Sequence, residues 1–336
     1  MGIFNNLFDI DSKDNYAVTG LNKELNSLYI YNYFIKNKKN NLVITNSLYE
    51  ANDVYNRLLN YTNKVLFFPM DDFITSEVTD ISPEFVIDRL TTLNKLLGSG
   101  KYIVVTNLMG ILRYLPNTKL YKNKIIDINK DMDIDRDDFI NKLFDLGYEK
   151  KPVVSRTGEM AIRGYVIDIF PIEFDNPIRI EFWGDTIDSI KYFDLEDQIS
   201  NTSVDSVKIY PYTEFLIDGK IGDNIIRKQK YLLNYSDSVS GLWDYVSDSV
   251  IFYYDYNQII NSYSLLRENI LEYDSELDDD IKTNYMWDIE DISNKHNIYI
   301  LDIDNLVDLD VNNKKYVSHS IENYCGNFEK LKLDLI

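Results

Sequence analysis

The chain has 336 residues, 45% hydrophobic and 27% charged, a balance that fits a soluble globular protein of two or three domains. Asp and Glu number 55 against 35 Lys and Arg, and the resulting net charge of −20 argues against tight nucleic-acid binding by the chain alone. The single cysteine, Cys325, excludes an internal disulfide and fits a reducing cytoplasm, and no apolar run approaches membrane-spanning length.

In chain order, the first feature is Ala17-Val-Thr-Gly-Leu-Asn-Lys-Glu24, which precedes helical sequence. A phosphate-binding loop needs glycines whose backbone N–H groups wrap the phosphates, a lysine for the β/γ-phosphates and a hydroxyl for Mg²⁺. Gly20 and Lys23 have suitable spacing, but Ala17 and Asn22 stand where glycines are wanted and Glu24 stands where the hydroxyl is wanted. The fragment alone therefore favours a plain strand–helix turn over ATP binding. Short β-branched runs follow at Asn41–Thr45, Lys64–Phe68 and Tyr102–Thr106, separated by helical spacing over Leu48–Leu59 and Pro83–Leu97, with Gly98 as the expected stop. This alternation predicts a doubly wound α/β layer with buried parallel strands.

The pattern then changes. Asp135 is placed to cap a helix carrying Phe139, Ile140, Leu143 and Phe144 on one side and ending at Gly147. Strands are predicted at Ile162–Phe170, Ile178–Trp183, Ile187–Phe193 and Val207–Tyr210, with Gly184-Asp185 as a hairpin turn. From Tyr212 helix and strand signals alternate again, with strands at Val250–Tyr254 and Ile298–Leu301 and an amphipathic helix over Asn261–Tyr273; the acidic stretch Tyr273–Asp280 reads as a solvated helix end or loop. The expected organisation is an α/β domain in two parts, 1–129 and 212–336, interrupted by an α+β insertion, 130–211.

Catalytic chemistry finds little support. His296 and His319 are the only histidines and have no metal-ligand spacing, and acidic pairs such as Asp71-Asp72 and the run Asp278-Asp279-Asp280 read as solvated faces. No metal or cofactor is expected. The insertion offers more. In Ile178-Arg-Ile-Glu-Phe-Trp183, alternation places Ile178, Ile180 and Phe182 on one face and Arg179, Glu181 and Trp183 on the other. Trp and Arg are enriched at binding hot spots. The residues alone leave two readings open: a binding face, or Trp183 packed under a loop with Arg179 paired to Glu181 or a cross-strand acid. Arg163, beside Gly164, is a second positive group within the insertion.

The phrases Gly147-Tyr148, Gly158-Glu-Met-Ala-Ile-Arg-Gly164, Ile167-Asp-Ile-Phe-Pro171, Ile178-Arg-Ile-Glu-Phe-Trp-Gly-Asp185, Ile187-Asp-Ser-Ile190 and Phe193-Asp194 resemble the UvrB-homology module of bacterial nucleotide excision repair. The likeness is greatest to the transcription-repair coupling factor family, Mfd. Phe68-Pro69, Ser82-Pro83, Arg89–Leu93, Tyr102–Pro116 and Ile321–Asn327 extend the resemblance over nearly the whole chain.

The resemblance implies a P-loop-NTPase-like parallel-sheet domain that has lost its nucleotide site, marked by Ala17, Gly20, Asn22, Lys23 and Glu24. It also implies an inserted domain that binds UvrA through Arg163, Arg179 and Trp183. The short span from Phe73 to Pro83 leaves little room for a DNA-clamping hairpin, and translocase motifs are absent. The expected role is a non-catalytic adaptor that recruits UvrA, with other domains of a parent protein as autoinhibitory partners and with RNA polymerase and DNA reached indirectly through that parent. A UvrB-like ATP-dependent remodelling enzyme and a stand-alone product of a truncated gene are the alternatives.

Overall fold

The computed structural model describes residues 7–10, 15–71, 82–219, 229–275, 284–292, 297–301, 311–318 and 332. The features assigned above to His296, His319, Cys325, Asp72, Phe73, Asp278–Asp280 and Ile321–Asn327 lie outside these residues. The N-terminal part runs β1 (Tyr16–Thr19), α1 (Lys23–Asn37), β2 (Asn40–Thr45), α2 (Leu48–Leu59), β3 (Val65–Phe68), α3 (Pro83–Leu96), β4 (Ile103–Asn107), α4 (Leu108–Leu112), β5 (Leu115–Pro116) and α5 (Thr118–Asn123). The middle part comprises β6 (Ile126–Asn129), α6 (Arg136–Asp145), β7 (Glu149–Lys150), β8 (Glu159–Arg163), β9 (Val166–Ile169), β10 (Ile178–Trp183), β11 (Thr186–Phe193), β12 (Ser200–Ser203) and β13 (Ser206–Ile209). The chain then adds α7 (Leu232–Tyr235), β14 (Val239–Ser240), α8 (Leu242–Tyr245), β15 (Ser249–Tyr254), α9 (Tyr256–Ser275), β16 (Asn297–Leu301) and β17 (Asn312–Lys315).

Seven strands form one parallel sheet in the order β17-β1-β16-β15-β2-β4-β3. Its inner strands are apolar on both faces because helices cover both, while the edge strand β17 is polar. Val43, Val105 and Phe252 pack with Tyr29, Tyr33, Val54 and Leu58 of α1 and α2. Their neighbours Leu42, Val104 and Ile251 point the other way, toward Leu90 and Leu93 of α3 and Ile259 of α9. Helix starts follow local chemistry: Ser47 Oγ accepts from the Glu50 amide at 3.2 Å, while the Glu50 carboxylate accepts from Asn46 N–H at 3.1 Å.

The insertion leaves between β4 and β15. Its entering and leaving strands, β6 and β13, pair antiparallel with Ile126 opposite Ile209, so a two-stranded neck carries it. Beyond the neck lies a six-stranded sheet, β12-β11-β10-β9-β8-β7, antiparallel except for the β7–β8 pair. Helix α6 packs on one face, with Phe139 and Leu143 against Ile167, Ile180 and Phe182. Asp135 caps α6 by accepting from Asp138 N–H at 2.8 Å. Gly147, with φ +89°, ends it: Gly147 N–H donates to Phe144 O and Tyr148 N–H to Leu143 O, at 3.0 and 3.1 Å. This is the double bond of a Schellman motif, which a left-handed glycine makes accessible.

Three sequence expectations need correction. Ile162–Phe170 is not one strand: Gly164, at φ +57°, turns the chain so that Arg163 pairs with Val166 across a hairpin. Phe144 is exposed, because the buried stripe of α6 runs through Phe139 and Leu143 at a four-residue step. Helix α3 stops at Leu96 with a right-handed cap at Leu97, so Gly98 is not its left-handed terminator.

At the foot of the neck, Glu214 is buried between two arginines. Arg89 Nε of α3 donates to Oε1 at 2.8 Å, and Arg113 Nη2, just after α4, donates to Oε2 at 2.7 Å. Arg89 Nη1 also reaches Pro69 O at 3.0 Å. Burial would raise the Glu214 carboxyl, but the Arg113 and Arg89 charges and hydrogen bonds outweigh it and hold it at about 2, against an ordinary 4.5. Burial pulls Arg113 down to about 10, which leaves it charged at neutral pH.

Glu214→Gln strands two buried guanidiniums and is expected to cost about 3–5 kcal/mol at pH 7. Because the folded pKa is depressed, this stabilisation is complete above the ordinary value and is lost as pH falls through the folded value. Urea titrations of wild type and E214Q should therefore show a stability gap that narrows from about pH 4.5 toward pH 2. A gap that stays constant across this window would contradict the assignment.

Candidate functional site

On the outer face of β8–β11, the one away from α6, Ala161, Phe170 and Phe193 are buried with Val154, Arg163 and Arg179 meet on one carboxylate, and Trp183 stands exposed at the end of β10. In register, Asp168 lies opposite Ala161 on one side and Arg179 on the other. Arg179 Nε donates to Asp168 Oδ1 at 2.7 Å and Nη2 to Oδ2 at 3.0 Å, a forked pair. Arg163 Nη2 donates to the same Oδ2. Asp168 itself is 0% exposed. Arg179 Nη1 also donates to Gln198 O at 3.2 Å and to Ser200 Oγ at 3.4 Å, and its guanidinium lies over the Phe193 ring, 4.7 Å from the centroid. The hydrogen bond with Asp168 is the leading cause that raises the Arg179 pKa above its already high ordinary value.

Alternation along β10 holds: Ile178, Ile180 and Phe182 are buried and Trp183 is 82% exposed. The alternative in which a loop covers Trp183 is thereby set aside. The alternative for Arg179 is what the fold adopts, since it pairs with a cross-strand acid. Glu181 turns instead to Lys191 Nζ at 2.7 Å and Ser189 Oγ at 2.5 Å. The Lys191 hydrogen bond, then that of Ser189, lowers its carboxyl pKa. The register shifts between Glu181 and Phe182, so that Ile187 and Ile190 of β11 both reach the core.

The hairpin bearing Trp183 is held firmly. Asp131 N–H donates to Ile187 O at 2.8 Å, Ile187 N–H to Met132 O at 2.9 Å and Ile134 N–H to Asp185 O at 2.8 Å. The neighbouring Gly164 turn is tied by Arg136 Nη2 on Gly164 O at 2.6 Å, and Phe182 N–H donates to Tyr165 O at 2.8 Å. Tyr165, exposed at the same end of the sheet, carries no sequence signal, because Ile162–Phe170 reads as continuous strand. Asp168 stands within the phrase Ile167-Asp-Ile-Phe-Pro171, but the phrase assigns it no role, and only the strand register shows that it lies opposite Arg179.

The second predicted constellation lies at the carboxyl end of β1. Ala17 is buried within that strand, and only Gly20, Leu21 and Asn22 separate β1 from α1. Gly20 has φ +81°. Asn22 Oδ1 accepts from Leu25 N–H at 2.9 Å, occupying the first turn of the helix where Lys23 begins it. Glu24 pairs with Arg57, whose Nε also donates to Asp53 Oδ1 at 3.1 Å. The Arg57 hydrogen bond is the main cause lowering the Glu24 carboxyl pKa. Helix and turn thus hold their own capping side chain and a carboxylate where a phosphate would need free N–H groups. Among the described residues, no group of three or more His, Cys, Asp or Glu could hold a metal ion, and no helix is long and apolar enough to cross a membrane.

The neck and the mostly antiparallel sheet it carries, with Trp183 exposed and Arg163 and Arg179 on one buried carboxylate, fall within residues 126–215, which match the UvrB interaction domain. The chain thus contains a segment similar to that domain. It is also a relative of the transcription-repair-coupling factors. It is 35% identical over 216 residues to the one from Staphylococcus haemolyticus, which covers 64% of this chain and 18% of that protein. It is 32% identical over 235 residues to that of Staphylococcus epidermidis, covering 69% and 20%, and 33% identical over 220 residues to that of Staphylococcus aureus USA300, covering 65% and 19%. The chain thus matches 18–20% of the length of these curated relatives.

Arg179→Ala and Trp183→Ala should separate in a stability measurement. Removing Arg179 deprives buried Asp168 of a forked partner, and a loss of about 1–3 kcal/mol is expected in chemical unfolding. Trp183 is solvated, so its truncation should stay within about 0.5 kcal/mol. Equal effects would contradict the assignment of these two residues to different roles.

Proposed function

We propose that the chain acts in transcription-coupled repair as a non-catalytic module that docks UvrA on the outer face of β8–β11. The observation that carries this is Trp183: a large aromatic, 82% exposed on a clamped hairpin, at the end of the strand whose Arg179 holds Asp168, in an otherwise acidic chain. Rigid aromatic area with an adjacent guanidinium is the composition of binding hot spots. The match of this sheet to the UvrB interaction domain supports UvrA as the partner class. The relatives named for transcription–repair coupling support the process. In this reading RNA polymerase and DNA are not contacted by the chain itself.

The non-catalytic reading is supported by the β1–α1 turn. With Asn22 Oδ1 on the Leu25 N–H and Glu24 paired to Arg57, triphosphate would meet a carboxylate rather than a hydroxyl.

Calorimetric titration of the chain with UvrA tests the dock. Trp183→Ala should weaken binding by about 2 kcal/mol or more and Arg163→Ala by about 1–2 kcal/mol, with both variants folded. Unchanged affinity in a folded W183A/R163A double variant would sink the assignment. In parallel, equilibrium binding of labelled ATP with Mg²⁺ should show no saturation at physiological nucleotide concentrations; saturable binding would overturn the non-catalytic reading.

A further inference from the structure

The two arginines of the outer face differ in what they have left to give. Arg179 has a side chain only 16% exposed, and its Nε, Nη1 and Nη2 all donate within the fold, to Asp168, Gln198 O and Ser200 Oγ. Its guanidinium is further seated on Phe193. A partner could recruit Arg179 only by dismantling this arrangement. Arg163 has a side chain 46% exposed, lies beside the Gly164 turn and donates Nη2 to Asp168. Both arginines therefore rest on one carboxylate that solvent does not reach.

Resting on the reading of this face as the UvrA dock, we propose that Asp168 is a positioning residue that fixes Arg163 as the guanidinium offered to the partner, while Arg179 works by holding Asp168. The fork from Arg179 sets the carboxylate plane, and that plane sets the direction from which Arg163 approaches Oδ2. An arginine fixed in advance loses less rotamer freedom on docking than one that must be ordered by the partner. The chemistry that fits is a carboxylate on UvrA facing Arg163, next to an apolar hollow for Trp183. This differs from the sequence expectation, in which both arginines touch UvrA.

The test is a double-mutant cycle read by titration of the full chain with UvrA, with thermal unfolding confirming that each variant is folded. Asp168→Asn should weaken binding about tenfold in the wild-type background and less than about twofold in Arg163→Ala, because the two residues act through one contact. Arg179→Lys, which keeps the charge and the carboxylate but loses the fork, reads the same coupling should D168N fail to fold: it should weaken binding in the wild-type background and not in R163A. Effects of D168N or R179K that are additive with R163A, or wild-type binding by folded D168N, overturn this inference while leaving the docking reading intact. A wild-type chain that does not bind UvrA overturns both.

Discussion

The join between the two sheets depends on one buried carboxylate. Glu214 draws together a helix of the parallel-sheet part, the segment after α4 and the exit of the neck, and no apolar side chain could make the same three-way contact with direction. A buried ion in a low-dielectric setting is costly unless its hydrogen-bonding capacity is met. Here each oxygen has its own guanidinium, and Arg89 is tied in turn to the Pro69 carbonyl. The insertion is consequently fixed at its root as well as through the core that continues from Leu90 and Leu93 to Phe139 and Ile180.

The same device, one carboxylate under two arginines, recurs at Asp168 with a different outcome. At Glu214 all three side chains are buried, so the cluster holds structure. At Asp168 only the carboxylate is fully enclosed, and the arginines are graded outward. Exposure separates a structural bolt from a presented group, since charge-assisted bonds gain most where water is excluded and a guanidinium at the boundary keeps donors for a partner. The parallel sheet shows the converse. Ligands of such sheets bind at the carboxyl ends of the strands, yet at β1 that position is taken by Asn22 and by the Glu24–Arg57 pair.

How much of this was legible in the sequence follows from what each signal needs. Buried parallel strands are announced by runs such as Leu42–Ile44 and Ile103–Val105, and the α6 cap and stop by Asp135 and Gly147, because these are local preferences. Helix α1 is less legible: it buries Asn26, Ser27 and Asn32 beside Tyr29 and Tyr33, so no clean apolar stripe appears. The β8–β9 hairpin was hidden because Arg163-Gly-Tyr-Val reads as continuing strand until Gly164 adopts a positive φ. Of the site, Trp183 was legible from alternation, whereas the partner of Arg179 was not. Glu181 is its near neighbour in sequence, but it is strand pairing that brings Asp168 across, and register is a tertiary property.

That tertiary origin bears on how so acidic a chain would hold the partner proposed above. With a net charge of −20, the far field of the molecule is negative, and it opposes the approach of a partner that offers a carboxylate. Screening over roughly 8 Å at physiological ionic strength confines that opposition to short range, and within it the local charges take over. In the docking proposed above, Arg163 acts at contact distance with its guanidinium already oriented by Asp168, and Trp183 contributes area that carries no charge cost. Affinity at such a face rests on the lifetime of the complex rather than on the rate of encounter. A fixed hairpin and a buried carboxylate serve that lifetime directly, since both reduce the freedom surrendered when the partner seats.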